Sequence, residues 1–186
     1  MFPFSSTIFV IWVIFWLYWL ISALGTKRSS RSSVRRFVGV RLIFFVLFIA
    51  FFGAGNHHTF QDTLTTHDIA LRTVGFIMFL IGLLTAIWAR LNLGKNWGTP
   101  MSQKQDPELV TSGPYNYIRH PIYSGILLAS LGTAIASTVY LFIIFIIIAV
   151  YFIFSAVTEE RLMTKEFPKV YPDYKARTKM LIPFIF

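Results

Sequence analysis

From Pro121 to Thr158 the chain carries no charged residue, a run of 38 positions. As a single helix this run would be about 57 Å long at ~1.5 Å per residue, close to twice the ~30 Å hydrocarbon core of a bilayer. One helix overshoots the membrane. Two antiparallel helices with a tight turn near 132–138 fit, and the Gly, Ala, Ser and Thr residues there permit close approach. Three more apolar runs precede this one, at 7–24, 37–54 and 69–91. Charged residues make up only 13% of the chain, against about 25% in soluble domains. The expectation is an all-α, polytopic membrane helix bundle with about five transmembrane helices, at 7–24, 37–54, 69–91, 121–136 and 138–158. Beyond Thr158 the sequence turns amphipathic and basic, and Pro168 and Pro172 divide it into a helix, a turn and a short helical piece. No Pro/Gly/Ser-rich linker separates the halves, so residues 1–186 read as one domain.

Lysine and arginine set the expected orientation. The segments 25–36, 90–120 and 159–186 hold five, four and six of them, while 55–68 and the turn near 137 hold none. An outer N-terminus and a cytoplasmic C-terminus satisfy the positive-inside rule in every loop; in a bacterium the location is the inner membrane. The same rule accounts for the net charge of +9 without nucleic acid, because basic residues gather on the cytoplasmic side near anionic lipid. The first apolar run is followed, not preceded, by its basic cluster, which argues for a span over a cleaved signal peptide. Cysteine is absent, which removes disulfides, thiolate metal sites and a cysteine nucleophile.

Several polar residues stand out against this apolar background. Arg41 and Arg72 lie near span ends, where their side chains reach the interface at little cost. His57, His58 and His67 lack metal-ligand spacing and read as a solvated loop, so no metal site is expected. The stretch Gly113–Gly125 is different: Arg119, His120 and three phenols (Tyr115, Tyr117, Tyr123) crowd where a helix starts, with Pro121 suited to its first turn. Glu159 and Glu160 close the uncharged run. Either the helix continues past the membrane and Glu160 pairs with Lys165 or Arg161 on its surface, or one carboxylate points into the mouth of the bundle. Tyr171 and Tyr174 fit an interfacial aromatic belt or the cover of a ligand cleft; spacing does not choose between them.

Taken as a set, these residues resemble a known family. Leu109-Val110-Thr111-Ser112-Gly113-Pro114-Tyr115, then Arg119-His120-Pro121-Ile122-Tyr123-Ser124-Gly125, then Glu159-Glu160 with Phe167-Pro168 and Tyr171-Pro172-Asp173-Tyr174, are similar to the isoprenylcysteine carboxyl methyltransferases and their phospholipid methyltransferase relatives. The likeness covers about 88–186, the cofactor-binding half. It implies an integral membrane enzyme that binds S-adenosylmethionine at the cytoplasmic face and methylates a lipophilic or small acceptor reached from the bilayer. By position, cofactor contacts fall on Glu108, Leu109, Val110, Tyr115, His120, Pro121, Ile122, Tyr123 and Glu159, with Gln103 a candidate from the preceding loop. Arg119, His120 and Glu160 take the catalytic positions.

Two departures qualify the resemblance. Pro107 and Glu108 stand where prenylcysteine enzymes usually carry His. Ser155 stands where members that methylate a carboxylate carry an Arg, and a serine cannot form the two parallel hydrogen bonds of a guanidinium. Arg90 and Arg119 are the available substitutes. Two other readings compete: a membrane sterol reductase-type enzyme using NADPH, which shares an Arg-His-Pro-x-Tyr-x-Gly segment, and a non-catalytic membrane scaffold.

Overall fold

The computed structural model describes residues 4–23, 67–96, 108–138 and 140–186. Five helices occur among them: α1 (Phe4–Ala23), α2 (Ile69–Leu93), α3 (Pro121–Ala136), α4 (Leu141–Glu166) and α5 (Tyr171–Arg177). The described residues form no β-strand, but Ile118 and Lys179 pair in an isolated parallel bridge. Three helices, α1, α2 and α4, are long and apolar enough to cross a membrane. The expected span at 37–54, with Arg41, lies outside the described residues, as do His57 and His58.

Local chemistry explains where the helices begin and end. Asp68 caps α2, its carboxylate accepting from the backbone N–H of Ala70 (2.7 Å) and Leu71 (3.1 Å). Gly94, at φ +53°, terminates the same helix in a conformation that costs glycine little. Pro121 opens α3, and His120 before it leaves helical geometry (φ −125°, ψ 57°). α3 matches the expected 121–136, but its 16 residues make only about 24 Å of helix, less than a full hydrocarbon core. α4 starts at Leu141 rather than 138, because Ser137 breaks helical geometry (φ −116°, ψ −81°) and Thr138 closes a turn by accepting from Leu141 N–H. It then runs to Glu166, and its 26 residues make about 39 Å of helix. The last turns therefore project beyond the hydrocarbon, carrying Glu159 and Glu160 with them.

The tightest packing is between α2 and α3, and glycine makes it possible. Gly75 and Gly82 on α2 face Gly132 and Gly125 on the antiparallel α3, seven residues apart on each helix. A Cβ at Gly125 would sit 2.6 Å from Ala86 N and Gly82 O, and one at Gly75 2.6 Å from Ala136 N. With no hydrophobic effect between helices in lipid, such backbone-to-backbone contact is a main source of association. Ala86, Ala89, Ala129 and Ala136 continue the seam and are fully buried. α1 lays one face on this pair. Ile8, Trp12, Phe15 and Trp19 recur at helical spacing and are buried, while Val10, Ile14, Leu17 and Leu20 are exposed. Trp12 packs on Phe79 of α2 and donates through Nε1 to Thr133 Oγ1 of α3 at 3.1 Å.

The arginines near the two ends of α2, Arg72 and Arg90, bind backbone carbonyls. Arg72 Nε donates to Ala136 O at the end of α3 (3.3 Å). Arg90 donates to Ser22 O of α1 (2.6 Å) and to Gly94 O (2.8 Å), joining the ends of α1 and α2. Each cation meets the negative pole of a helix. Gly125→Val should lower stability by about 1–3 kcal/mol or more through overpacking, whereas Ile81→Ala on the lipid-facing side should stay within about 0.5 kcal/mol. Thermal unfolding midpoints in detergent check this.

Candidate functional site

Two carboxylates in succession cannot be left bare at the end of an apolar helix, and the structure gives each its own partners. The Tyr123 hydroxyl donates to Glu159 Oε1 at 2.5 Å, and His120 Nδ1 lies 3.5 Å from Glu159 Oε2. Arg119 Nε donates to Glu160 Oε1 at 2.6 Å, with Lys175 Nζ 2.7 Å from Glu160 Oε2. Of the two readings open for the Glu-Glu pair, half of each holds. α4 does continue beyond the uncharged run, to Glu166, yet Glu160 turns inward and pairs across the bundle instead of with Arg161 or Lys165 on its own surface.

Arg119 is spent on this arrangement. Besides Glu160, its Nη1 donates to the carbonyl oxygens of Thr178 and of Lys175, the latter at 3.2 Å. The guanidinium thus ties the Arg-His-Pro loop to both α4 and the segment after α5. The backbone repeats the tie in parallel register: Arg119 N–H donates to Lys179 O (2.8 Å), His120 N–H to Met180 O (3.1 Å) and Lys179 N–H to Tyr117 O (3.2 Å). Tyr171 and Tyr174 are 2% and 3% exposed, so they pack into the fold and do not form an interfacial belt. The Tyr174 hydroxyl donates to Tyr115 O at 2.6 Å. Burial, outweighing the neighbouring cations, pushes the Tyr174 phenol up to about 12, so it remains a neutral donor.

His120, Tyr123 and Phe152 form an aromatic column. The His120 and Tyr123 rings stack at 5.3 Å and 4°, and Tyr123 and Phe152 at 4.5 Å and 13°. Burial alone would lower the His120 imidazole, but the Glu159 and Glu160 carboxylates overcome it and hold the group above its ordinary value. The two carboxylates thus stabilise the charged imidazole relative to a free one. Its Nε2 is buried without a hydrogen-bond partner, 3.7 Å from Glu160 Oε1.

The sequence-expected residues are not all brought together. His120, Tyr123, Glu159, Glu160 and Arg119 converge. Tyr115, Pro121 and Ile122 are buried beside them in the loop and first turn of α3, and Val110 packs against the core. Leu109 is half-buried. Glu108 is exposed and accepts from Asn96 Nδ2 at 2.9 Å, just past the end of α2. Gln103 lies outside the described residues. Ser155 is fully buried and donates to Tyr151 O of its own helix at 2.9 Å. Arg90, the proposed substitute for an arginine at 155, is committed to the carbonyls of Ser22 and Gly94. Sequence reasoning missed Phe152, Lys175 and Thr178. Phe152 was findable, since it lies seven residues before Glu159 on the same helix face; nothing marks Lys175 or Thr178 among the other polar residues of the tail.

Glu160 and its partners differ in exposure, which decides their weight. Arg119 and Glu160 side chains are 8% and 6% exposed, and Lys175 is 50% exposed. Glu160→Ala should cost about 3–5 kcal/mol by stranding a buried cation. Lys175→Ala should cost less than about 1 kcal/mol. Denaturant or thermal unfolding of the purified protein in detergent measures both.

Comparison with known proteins adds a family. Residues 71–170 match the family model described as phospholipid methyltransferase. The chain is 28% identical over 130 residues to the nickel-cobalt-cadmium resistance protein NccN of Alcaligenes xylosoxydans xylosoxydans, covering 69% of this chain and 56% of that one. It is 32% identical over 123 residues to a protein-S-isoprenylcysteine O-methyltransferase of Xenopus laevis, covering 62% and 41%. The chain thus spans about half the length of the curated relatives it matches.

Proposed function

The chain belongs to the phospholipid methyltransferase family, and from that premise we propose that it is an S-adenosylmethionine-dependent membrane methyltransferase acting on a lipophilic or small acceptor. The observation that carries the reading is the meeting of Tyr123 and Glu159 at 2.5 Å, under an imidazole whose Nε2 has no hydrogen-bond partner. With only a long ion-pair contact to Glu160, this buried atom keeps hydrogen-bonding capacity that a ligand group would use. Carboxylate, imidazole and stacked rings suit a ligand with an ammonium, polar edges and a flat heterocycle. When bound, the cofactor supplies an electrophilic methyl group on a sulfonium.

The residues then divide the work. Glu159 holds the cationic amino group, and His120 donates a hydrogen bond from Nε2. Tyr115, Tyr123 and Phe152 pack the heterocycle and exclude water. Arg119 and Glu160 are positioning residues: their pairing fixes the loop and α4 relative to each other, so that acceptor and donor are aligned. Neither candidate base is well placed for proton removal, because His120 sits against the Glu159 and Glu160 carboxylates and Glu160 is held by two cations. The acceptor best served is one that attacks with its own lone pair or charge. The buried Ser155 hydroxyl, bonded within α4, offers no grip on a carboxylate. By the positive-inside rule this end of the bundle faces the cytoplasm.

Calorimetry in detergent should show S-adenosylmethionine binding to the wild type, no comparable binding of NADPH, and at least about tenfold weaker binding for Glu159→Ala and for His120→Ala, the loss of about 1.4 kcal/mol or more. Unchanged affinity in both variants would remove these residues from the site; preference for NADPH would replace methyl transfer with reduction.

A further inference from the structure

The matched family region ends at residue 170, so α5 and the residues after it lie beyond it. Their geometry suggests a role of their own. The parallel pairing of Lys179 and Met180 with Arg119 and His120 sends the final residues the same way as the chain entering α3. Ser124, one turn inside α3, donates to Leu181 O. Leu181 is therefore held against the first turn of α3, and residues 182–186 follow directly from it. They fold into a tight turn in which Leu181 and Ile182 N–H both donate to Phe186 O. Phe184 stands at its tip with φ +67°, a left-handed backbone uncommon for a bulky residue.

The side chains this turn presents are apolar. Phe184 is 85% exposed and Ile185 76%, with Ile182 and Phe186 also open. In water such a display would be unfavourable; at bilayer depth it is not. The surrounding charge is predominantly positive. With Glu159 and Glu160 turned inward, the exposed charges of 161–186 are Arg161, Lys165, Lys169, Lys175, Arg177 and Lys179 against Glu166 and Asp173. Three cations, Arg119, Lys175 and Lys179, line one open cleft of about 400 Å³ with Ile185 and Phe186; its one carboxylate, Glu160, is already paired with Arg119 and Lys175.

We propose that α5 and residues 178–186 form an interfacial anchor that takes anionic phospholipid, with Lys179 and its neighbouring cations at the headgroup phosphates and Ile182, Phe184 and Ile185 among the upper acyl chains. Basic residues at a membrane surface are attracted to anionic lipid, and apolar side chains add to the binding. Because residues 178–181 are bonded to Tyr117–His120, the same docking holds the tail against the loop before α3. The inference rests on the membrane placement of the bundle and not on the reaction proposed for it.

The absence of native cysteine makes the test clean. Phe184→Cys is labelled with an environment-sensitive fluorophore, and the full-length protein is placed in nanodiscs of phosphatidylcholine alone or of phosphatidylcholine with phosphatidylglycerol. The expected result is blue-shifted emission, quenched by lipids spin-labelled near the headgroup, and stronger in the anionic discs. Adding Arg177→Gln and Lys179→Gln should reduce the dependence on anionic lipid several-fold while leaving the elution profile unchanged. Water-like emission in both compositions overturns the proposal. So does an apolar environment indifferent to lipid charge, or one that appears only with two copies per disc, which would assign the face to a second copy of the chain.

Discussion

Two adjacent carboxylates at the end of an uncharged helix are an electrostatic problem, and the architecture at this end of the molecule is its solution. Ionised groups half out of water must be paired and hydrogen-bonded, or they would take up protons. Glu159 is met by a phenol and an imidazole from the start of α3, Glu160 by a guanidinium from the same loop and an ammonium from α5. The four partners come from two segments far apart in sequence. Satisfying the pair therefore folds the Arg-His-Pro loop, the end of α4 and the tail onto one another.

That closure depends on a rigid base. α3 is short, but its glycine seam with α2 leaves its first turn little freedom to move. Tyr123 and His120 are fixed at the base of that turn, and Phe152 reaches them from α4 to complete the column. A site built on helix ends with packed backing holds its geometry better than one built on loops alone. The tail packs onto the loop before α3, held by the Arg119 contacts, by the parallel backbone bonds and by the Tyr174 hydroxyl.

Much of this was legible in the residues. Hydropathy located α1, α2 and α3 to within a few residues, and the motif pattern singled out His120, Tyr123, Glu159 and Glu160, which do converge. What escaped reading is instructive. The α2–α3 seam was hidden because Gly75 and Gly82 sit in an ordinary apolar run, and only the facing glycines of α3 reveal their purpose. The start of α4 was misplaced by three residues because an apolar run carries no internal mark where helix gives way to turn. The inward turn of Glu160 depends on Arg119 and Lys175, 41 residues before it and 15 after, beyond the reach of helical periodicity. Tyr171 and Tyr174 posed the same difficulty: aromatic residues among basic ones fit belt and cover alike until their burial is seen.

The claim most exposed to test is that the loop before α3 and the tail after α5 lie side by side. Ile118→Cys with Lys179→Cys, in a chain without other cysteines, places two thiols on directly paired residues; paired backbones lie about 4.7–4.9 Å apart, inside the Cα separation of about 4.4–6.8 Å that a disulfide spans. Mild oxidation in native membranes, followed by mass spectrometry of the joined peptides, should give rapid and near-complete cross-linking. Two thiols that stay separate under those conditions, yet react with maleimide once the protein is unfolded, would contradict the arrangement on which the site depends.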